Sequence, residues 1–305
     1  MTLRQVMAAA GIAALALLGA GCDGGGAEPK AQPPASAPRS TPPPPVYPVR
    51  DGVDLTASPT WKAARDRGHL VVGAKDDQPG LGYLDPATLR RSGFDIEIAR
   101  MVSAQLGLDP ARIEFRTIAS ANRETAIVNG EVDMYVGTYS ITDDRKRSVA
   151  FAGPYYVSGQ SLLVRRDEPA ITGKDTIAGK KVCSAKGSTA FNRLQREFPE
   201  TLAVFYDDYS QCVENLLTGL VDAVSTDEAI LKGYAARSPD RLKVVGQPFT
   251  TENYGIGVPR DDAVFRTAVN EALRASTANG AWKAAYDATL GMSGVPAPPV
   301  PPLEP

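Results

Sequence analysis

Strand-like and helix-like segments alternate along residues 70–290, and this alternation predicts an α/β fold whose sheets are mostly parallel and carry helices on both faces. Two features at the ends frame the folded part. An apolar N-terminal run leads into a stretch rich in glycine and proline, and the last residues are again rich in proline. The segment between them, about 60–292, is long enough to bury a sizeable core in one domain or two lobes.

Taken in order, residues 70–74 are a short apolar run and read as the first strand. Residues 94–106 are amphipathic, with Ile96, Ile98, Ala99, Val102 and Leu106 turned inward on a helix. Residues 112–118 alternate as a half-buried strand does, 123–128 read as a helix, and 132–136 as a buried strand. After Tyr155 and Tyr156, the extended run 161–164 opens a second set of elements. Strands are predicted at 181–184, 203–206 and 223–225, alternating with helices at 189–198, 211–220 and 228–236. The chain then passes through strands at 243–245 and 254–258 to closing helices at 262–279 and 282–290.

The flanks carry the compartment signal. Arg4 precedes an almost wholly apolar run at 6–18, too short for a comfortable membrane span, and small residues at 19–21 lead to Cys22. This reads as a secretory signal, 1–21, and the cysteine resembles that of a bacterial lipobox, which would make Cys22 the lipidated first residue. Leu18 stands one position earlier than the usual lipobox leucine, and the alternative is an ordinary signal with an incidental cysteine. Residues 22–59 offer little apolar surface to offset ordering entropy, so they are expected to form a disordered spacer. The tail at 293–305 is expected to be disordered too.

Composition excludes several classes. The formal net charge is −2 and no basic stripe is present, which argues against nucleic acid. His69 is the single histidine, so a multi-histidine zinc site is impossible, and no Ser-His-Asp arrangement exists unless His69 itself serves. It reads as a strand-edge residue. No phosphate-binding loop, metal set or redox motif is visible, and no cofactor is expected. With Cys22 lipidated, Cys183 and Cys212 remain as a pair that an oxidising export compartment favours joining; two buried free thiols are the alternative.

The most informative stretch is Gly137-Thr138-Tyr139-Ser140-Ile141-Thr142-Asp143-Asp144-Arg145-Lys146-Arg147, followed by Phe151-Ala152-Gly153-Pro154-Tyr155-Tyr156. It places hydroxyls, small residues and a guanidinium just after an apolar strand, where they can serve one small carboxylate. It also closely resembles the signature of the family 3 extracellular solute-binding proteins, which capture polar amino acids for ABC importers, and the resemblance runs through most of 70–290. The resemblance implies a type II periplasmic-binding-protein fold of two discontinuous α/β lobes joined by two hinge strands. The first lobe would hold 60–158 and 252–292, and the second 159–251.

The resemblance also assigns roles. Arg145 would clamp an α-carboxylate, with Thr142 adding its N–H and hydroxyl. Ser140 and the Thr138 carbonyl would face the ammonium, and Tyr139 shares their loop. Backbone N–H groups at Ser188 and Thr189, in Ala185-Lys186-Gly187-Ser188-Thr189, would complete the carboxylate cradle. Asp227 in Ser225-Thr226-Asp227-Glu228 aligns with the ammonium-binding acid. Plainer readings exist for each. Arg145 could be an exposed helix-cap arginine, and Thr142 and Asp227 could be ordinary N-caps. Lys75 and Arg123 would form a second positive pole for a side-chain carboxylate, or simply be surface cations. Ser120 stands where glutamine binders usually have an aromatic shelf, so glutamate or aspartate is favoured over asparagine and glutamine.

The reading is therefore an exported receptor, lipid-anchored to the outer face of the cytoplasmic membrane and monomeric. It takes an acidic or polar L-amino acid by hinge closure and delivers it to an ABC permease. Two rivals share the fold: a cyclohexadienyl-dehydratase-like enzyme and an amino-acid sensor subunit for a membrane signalling partner.

Overall fold

The computed structural model describes residues 45–293 and 296–303; the signal segment, Cys22 and the spacer up to 44 lie outside the described residues. The first part of the chain runs α1 (Pro59–Arg67), β1 (Val71–Ala74), β2 (Asp77–Gln78), β3 (Gly82–Leu84), β4 (Arg91–Ser92), α2 (Phe94–Gln105), β5 (Glu114–Thr117), α3 (Arg123–Val128), β6 (Met134–Tyr135), α4 (Asp143–Lys146) and β7 (Ala150–Ser158). The next part is β8 (Gln160–Arg165), β9 (Lys181–Ala185), α5 (Thr189–Glu197), β10 (Leu202–Tyr206), α6 (Tyr209–Leu217), β11 (Ala223–Asp227), α7 (Glu228–Arg237) and β12 (Leu242–Val245). The chain closes with β13 (Glu252–Val258), α8 (Ala263–Ala278) and α9 (Ala281–Ala288).

Two five-stranded sheets result, β5-β1-β6-β13-β7 in lobe 1 and β10-β9-β11-β8-β12 in lobe 2. Each lobe has a core of three parallel strands, β5-β1-β6 and β10-β9-β11, separated in sequence by helices. In each sheet one strand runs against both its neighbours, β13 between β6 and β7 and β8 between β11 and β12. The sheets are therefore mixed, half of their strand pairings antiparallel rather than mostly parallel. The reason is connectivity: the chain enters lobe 2 through β7 and β8 and returns through β12 and β13, so each sheet pairs one outgoing strand with one returning strand.

These same passages are the two crossings between lobes. They are tied together, since the Gln160 N–H donates to Thr250 Oγ1 at 2.8 Å and the Phe249 N–H to Gln160 O at 2.9 Å. A small antiparallel sheet, β2-β3-β4, covers part of lobe 1; its strands of two or three residues are too short for sequence periodicity to register.

Both ends of the folded part extend beyond the boundaries read from sequence. Tyr47 is buried, the Arg50 N–H donates to Ala104 O at 2.9 Å, and Val53 and Leu55 pack on the core, so residues 45–58 dock on lobe 1. Ser58 then caps α1, which starts with Pro59, and its hydroxyl also reaches Asp262 at 2.7 Å. At the other end Ala297, Val300 and Leu303 pack against the core. Isolated apolar residues in a proline-rich stretch suffice to dock chain that could not fold alone. Among the described residues no helix is long and apolar enough to cross a membrane.

Candidate functional site

The Gly137–Arg147 stretch leaves β6 and enters the space between the lobes. Thr138 has φ of 44°, a strained value for a β-branched residue. Neighbours hold it: its N–H donates to Asp95 Oδ2 at 3.1 Å, and its hydroxyl donates to Gln78 Oε1 at 3.1 Å. Asp95 is fully buried on α2 and accepts the Tyr155 hydroxyl at 2.6 Å; burial pushes its carboxyl up to about 6. The rest of the loop is pinned to β13, with the Ile141 N–H donating to Asn253 O at 2.8 Å and the Gly255 N–H to Tyr139 O at 2.9 Å.

Thr142 caps α4, its hydroxyl accepting the Arg145 N–H at 3.2 Å. That short helix turns Arg145 inward, where it is 8% exposed and so is no surface cap. Its Nη1 donates to Ser140 O at 2.6 Å, its Nη2 to Gly187 O at 3.1 Å, and its Nε lies 3.2 Å from Glu124 Oε1. Arg123, at the start of α3, is 2% exposed. Its Nε donates to Ser120 O at 3.0 Å, with longer contacts to Thr138 O (3.4 Å) and Gly187 O (3.3 Å). The Thr138 carbonyl, expected at an ammonium, thus faces Arg123. Both guanidiniums lie over the Tyr139 ring, at 4.5 and 4.9 Å from its centroid. Burial, reinforced by the neighbouring Arg123 charge, brings Arg145 down to about 10.

Lobe 2 faces these cations with the loop between β9 and α5 and the end of β11. Ser188 caps α5, its hydroxyl accepting the Phe191 N–H at 3.0 Å. The Ser188 N–H closes a turn onto Ala185 O at 3.1 Å, so it is not turned toward the cleft as expected. The Thr189 N–H belongs to the first turn of α5, where N–H groups have no intrahelical partner, and the Thr189 hydroxyl donates to Glu252 Oε2 at 2.9 Å. Asp227 stands at the N-cap position of α7, yet its side chain makes no capping bond. It turns into the cleft instead. Oδ2 accepts the Tyr254 hydroxyl at 2.6 Å, and Oδ1 is buried with no hydrogen-bond partner among the described residues. Burial, with the nearby Glu252 charge, pushes its carboxyl up to about 7.

The cavity left between the lobes is small, about 10 Å³, lined by Arg123, Thr138, Ser140, Arg145, Ser188, Thr189 and Asp227, together with Ser120, Tyr209 and Ile230. That is room for about one water, so the lobes stand nearly closed on one another. Thr142 lines a larger polar mouth outside it, with Glu124 and Glu252. Tyr139 is fully buried beneath the arginines. Lys75 is 1% exposed and lines neither space; its Nζ has no hydrogen-bond partner among the described residues, and burial holds its ammonium below the usual lysine range. The charge of Arg123 acts on it in the same direction.

The sequence reading missed Tyr209 and Ile230. Ile230 was within reach, since it lies one helical turn after Asp227, whereas nothing local marks Tyr209. The Cys183–Cys212 disulfide is formed and joins β9 to α6 directly behind this wall, with Cα atoms 5.5 Å apart.

Comparison with known proteins bears on the family and the fold. The model of the family described as bacterial extracellular solute-binding proteins, family 3, matches residues 70–292. The glutamate-binding protein GluB of Corynebacterium efficiens is 42% identical over 239 residues, covering 75% of this chain and 81% of the relative. A glutamine-binding protein of Geobacillus stearothermophilus is 36% identical over 202 residues, covering 66% and 77%. Among solved structures, an ancestral arginine-binding protein bound to glutamine superposes with a TM-score of 0.70 at 30% identity, covering 74% of this chain and 99% of that one.

Proposed function

Because the chain belongs to the family 3 bacterial extracellular solute-binding proteins, we propose that it captures an acidic L-amino acid, glutamate or aspartate, between its lobes. It is an exported amino-acid-binding protein of ABC transport, and its partner is a membrane permease.

One observation supports the acidic preference over an amide: the polarity of the buried atoms left without partners. On the lobe 2 side the unpartnered atom is an acceptor, Asp227 Oδ1. Toward Arg123 the unpartnered atoms include the donors Lys75 Nζ and Gln78 Nε2, with the acceptor Asp77 Oδ1 beside them. Arg123 itself donates hydrogen bonds only to carbonyl oxygens and makes no ion pair among the described residues. Buried donors without acceptors disfavour the empty state and are satisfied by an acceptor-only group, which a carboxylate is and an amide is not.

Charge balance points the same way. Two guanidiniums and one carboxylate line the cavity, and since Arg145 is also paired with Glu124, Arg123 is the cation left without a carboxylate for an acidic side chain to meet. In this reading Arg145, with Thr142 and the Thr189 N–H, takes the α-carboxylate. Asp227 and Ser140 take the ammonium, and Arg123 takes the side-chain carboxylate; Lys75, expected beside it, is outside the cavity lining and contributes only its charge. The lobes, 60–158 with 252–292 and 159–251, close about the crossings at 159 and 251, since only the closed form completes both halves.

The protein works as a binder and not as a dehydratase. The lining group raised toward neutrality, Asp227, is already engaged by Tyr254 and has an ammonium-sized task; turnover of prephenate or arogenate would overturn this. The reading includes a monomer anchored through lipid on Cys22, tested by mass spectrometry of the N-terminal peptide. Calorimetry against the common L-amino acids tests the ligand. Glutamate or aspartate is expected to bind at micromolar affinity or tighter, around −8 kcal/mol. Glutamine binding more tightly than both would overturn the side-chain assignment.

A further inference from the structure

Two glycines of lobe 2 face the main chain of lobe 1 with no room for a side chain. A Cβ on Gly187 would lie 2.6 Å from Ala121 Cα and 2.9 Å from Ala121 N. A Cβ on Gly233 would lie 2.1 Å from the Pro79 carbonyl oxygen. Both obstacles are backbone, which cannot rotate away as a side-chain tip can.

Local conformation explains one of them only. Gly187 has φ of 75°, where glycine is favoured regardless of neighbours. Gly233 lies inside α7 with ordinary helical backbone, where alanine is the better helix former. The reason for Gly233 lies across the cleft. The next residue, Tyr234, donates its hydroxyl to the Asp77 carbonyl oxygen, and Asp77 Oδ2 accepts the Ser210 N–H at 3.1 Å. At the other point, Gly187 O accepts from both Arg123 and Arg145. Each bare Cα thus sits beside hydrogen bonds that join the lobes.

We propose that Gly187 and Gly233 are positioning residues for capture: side-chain-free contact points that set how far lobe 2 descends onto lobe 1. With a methyl at either, the lobes stop short. The contacts from Asp227 and the α5 start then lengthen, while those from lobe 1 are kept. The proposal rests on the amino-acid-capture reading for its readout alone.

The test uses the full-length chain with Gly233→Ala and, separately, Gly187→Ala, titrated by calorimetry with L-glutamate and in parallel with the other common L-amino acids. Ligand-free thermal unfolding and small-angle scattering at saturating ligand accompany it. Gly233→Ala is expected to unfold at the same or a higher temperature, because its helix improves. It should bind at least roughly tenfold more weakly, because the lost contacts are charge-assisted. It should also stay more expanded than wild type at saturation. Gly187→Ala should weaken binding too, with some loss of ligand-free stability from its left-handed backbone.

Wild-type affinity and wild-type compaction in Gly233→Ala would overturn the proposal, as would a lowered ligand-free melting temperature with unchanged affinity. If wild type prefers another amino acid, the ligand assignment falls, and the variant-to-wild-type ratio for that amino acid decides this proposal on its own.

Discussion

Lobe 1 brings its charges to the cleft on side chains held from several directions, whereas lobe 2 brings a helix start and one aspartate with an oxygen to spare. Arg123 and Arg145 lie over Tyr139, whose ring is itself fixed against Tyr135 and Phe151, with centroids 5.3 and 4.8 Å away. The Thr138 turn beside them is strained and doubly tethered, to Asp95 and Gln78. In lobe 2 the orientation of Asp227 is set by Tyr254, which belongs to a strand of the lobe 1 sheet. The contrast teaches a division of labour. In the proposed reading one half is preorganised to select by charge, and the other completes the site once the halves meet.

The largest expected effect falls on the preorganised half. Arg145→Ala removes one partner of a buried charged contact and should cost about 2–5 kcal/mol of ligand binding, roughly 30- to 4000-fold, measured by calorimetry. Retained affinity would mean that lobe 1 does not grip the α-carboxylate, and the comparison would break there.

Next comes Asp227, where pH sharpens the contrast. Its carboxyl titrates at about 7 without ligand, and an ammonium favours the charged form. Binding below that pH therefore expels a proton. Affinity should hold above pH 7 and fall as pH drops through it, by at most about tenfold per unit for one group. Asp227→Asn should bind more weakly and flatten this dependence. The ligand-free stability has the opposite sign: a carboxyl raised above its unfolded value of about 3.9 contributes stability at low pH that is lost as pH rises through about 7.

A smaller effect tests selectivity. Arg123→Ala should weaken glutamate by more than about tenfold, while glutamine loses only a few-fold, because a charge-assisted contact exceeds a neutral one. Equal losses would show that Arg123 does not read the side chain.

The smallest effect on affinity belongs to the bridge behind the lobe 2 wall. Replacing Cys183 and Cys212 by alanine opens a 29-residue loop and should destabilise by about 3–4 kcal/mol on the chain-entropy account, with affinity changed only a few-fold. Melting curves with and without reductant check it. A large loss of affinity would mean that lobe 2 is preorganised as well.

Most of the fold was readable because long helices and apolar strands carry periodicity, and the site loops were readable because Gly137–Arg147 and Ser225–Glu228 each gather their chemistry within a few residues. Other features depend on contacts remote in sequence. Tyr47 docks the proline-rich lead-in onto α2, and no local pattern distinguishes it from spacer. Tyr209 reaches the cavity only through the packing of α6, and Gln78 reaches Thr138 only through the small sheet. The antiparallel strands depend on which neighbours they find. The docking of residues 45–58, expected as spacer, escaped the sequence for the same reason: composition measures how little a segment can bury alone, not what another surface offers it.

The place of β13 between β6 and β7 bears on the order in which the protein can be made. Every strand of lobe 2 lies within residues 160–245, so that sheet can pair as soon as its segment is free to fold, without waiting for later chain. The lobe 1 sheet stays split until residue 258 has emerged, and the Arg145 loop lacks its anchors at Asn253 and Gly255 until then. The half encoded in the middle of the chain can thus be complete before the half that holds the cations.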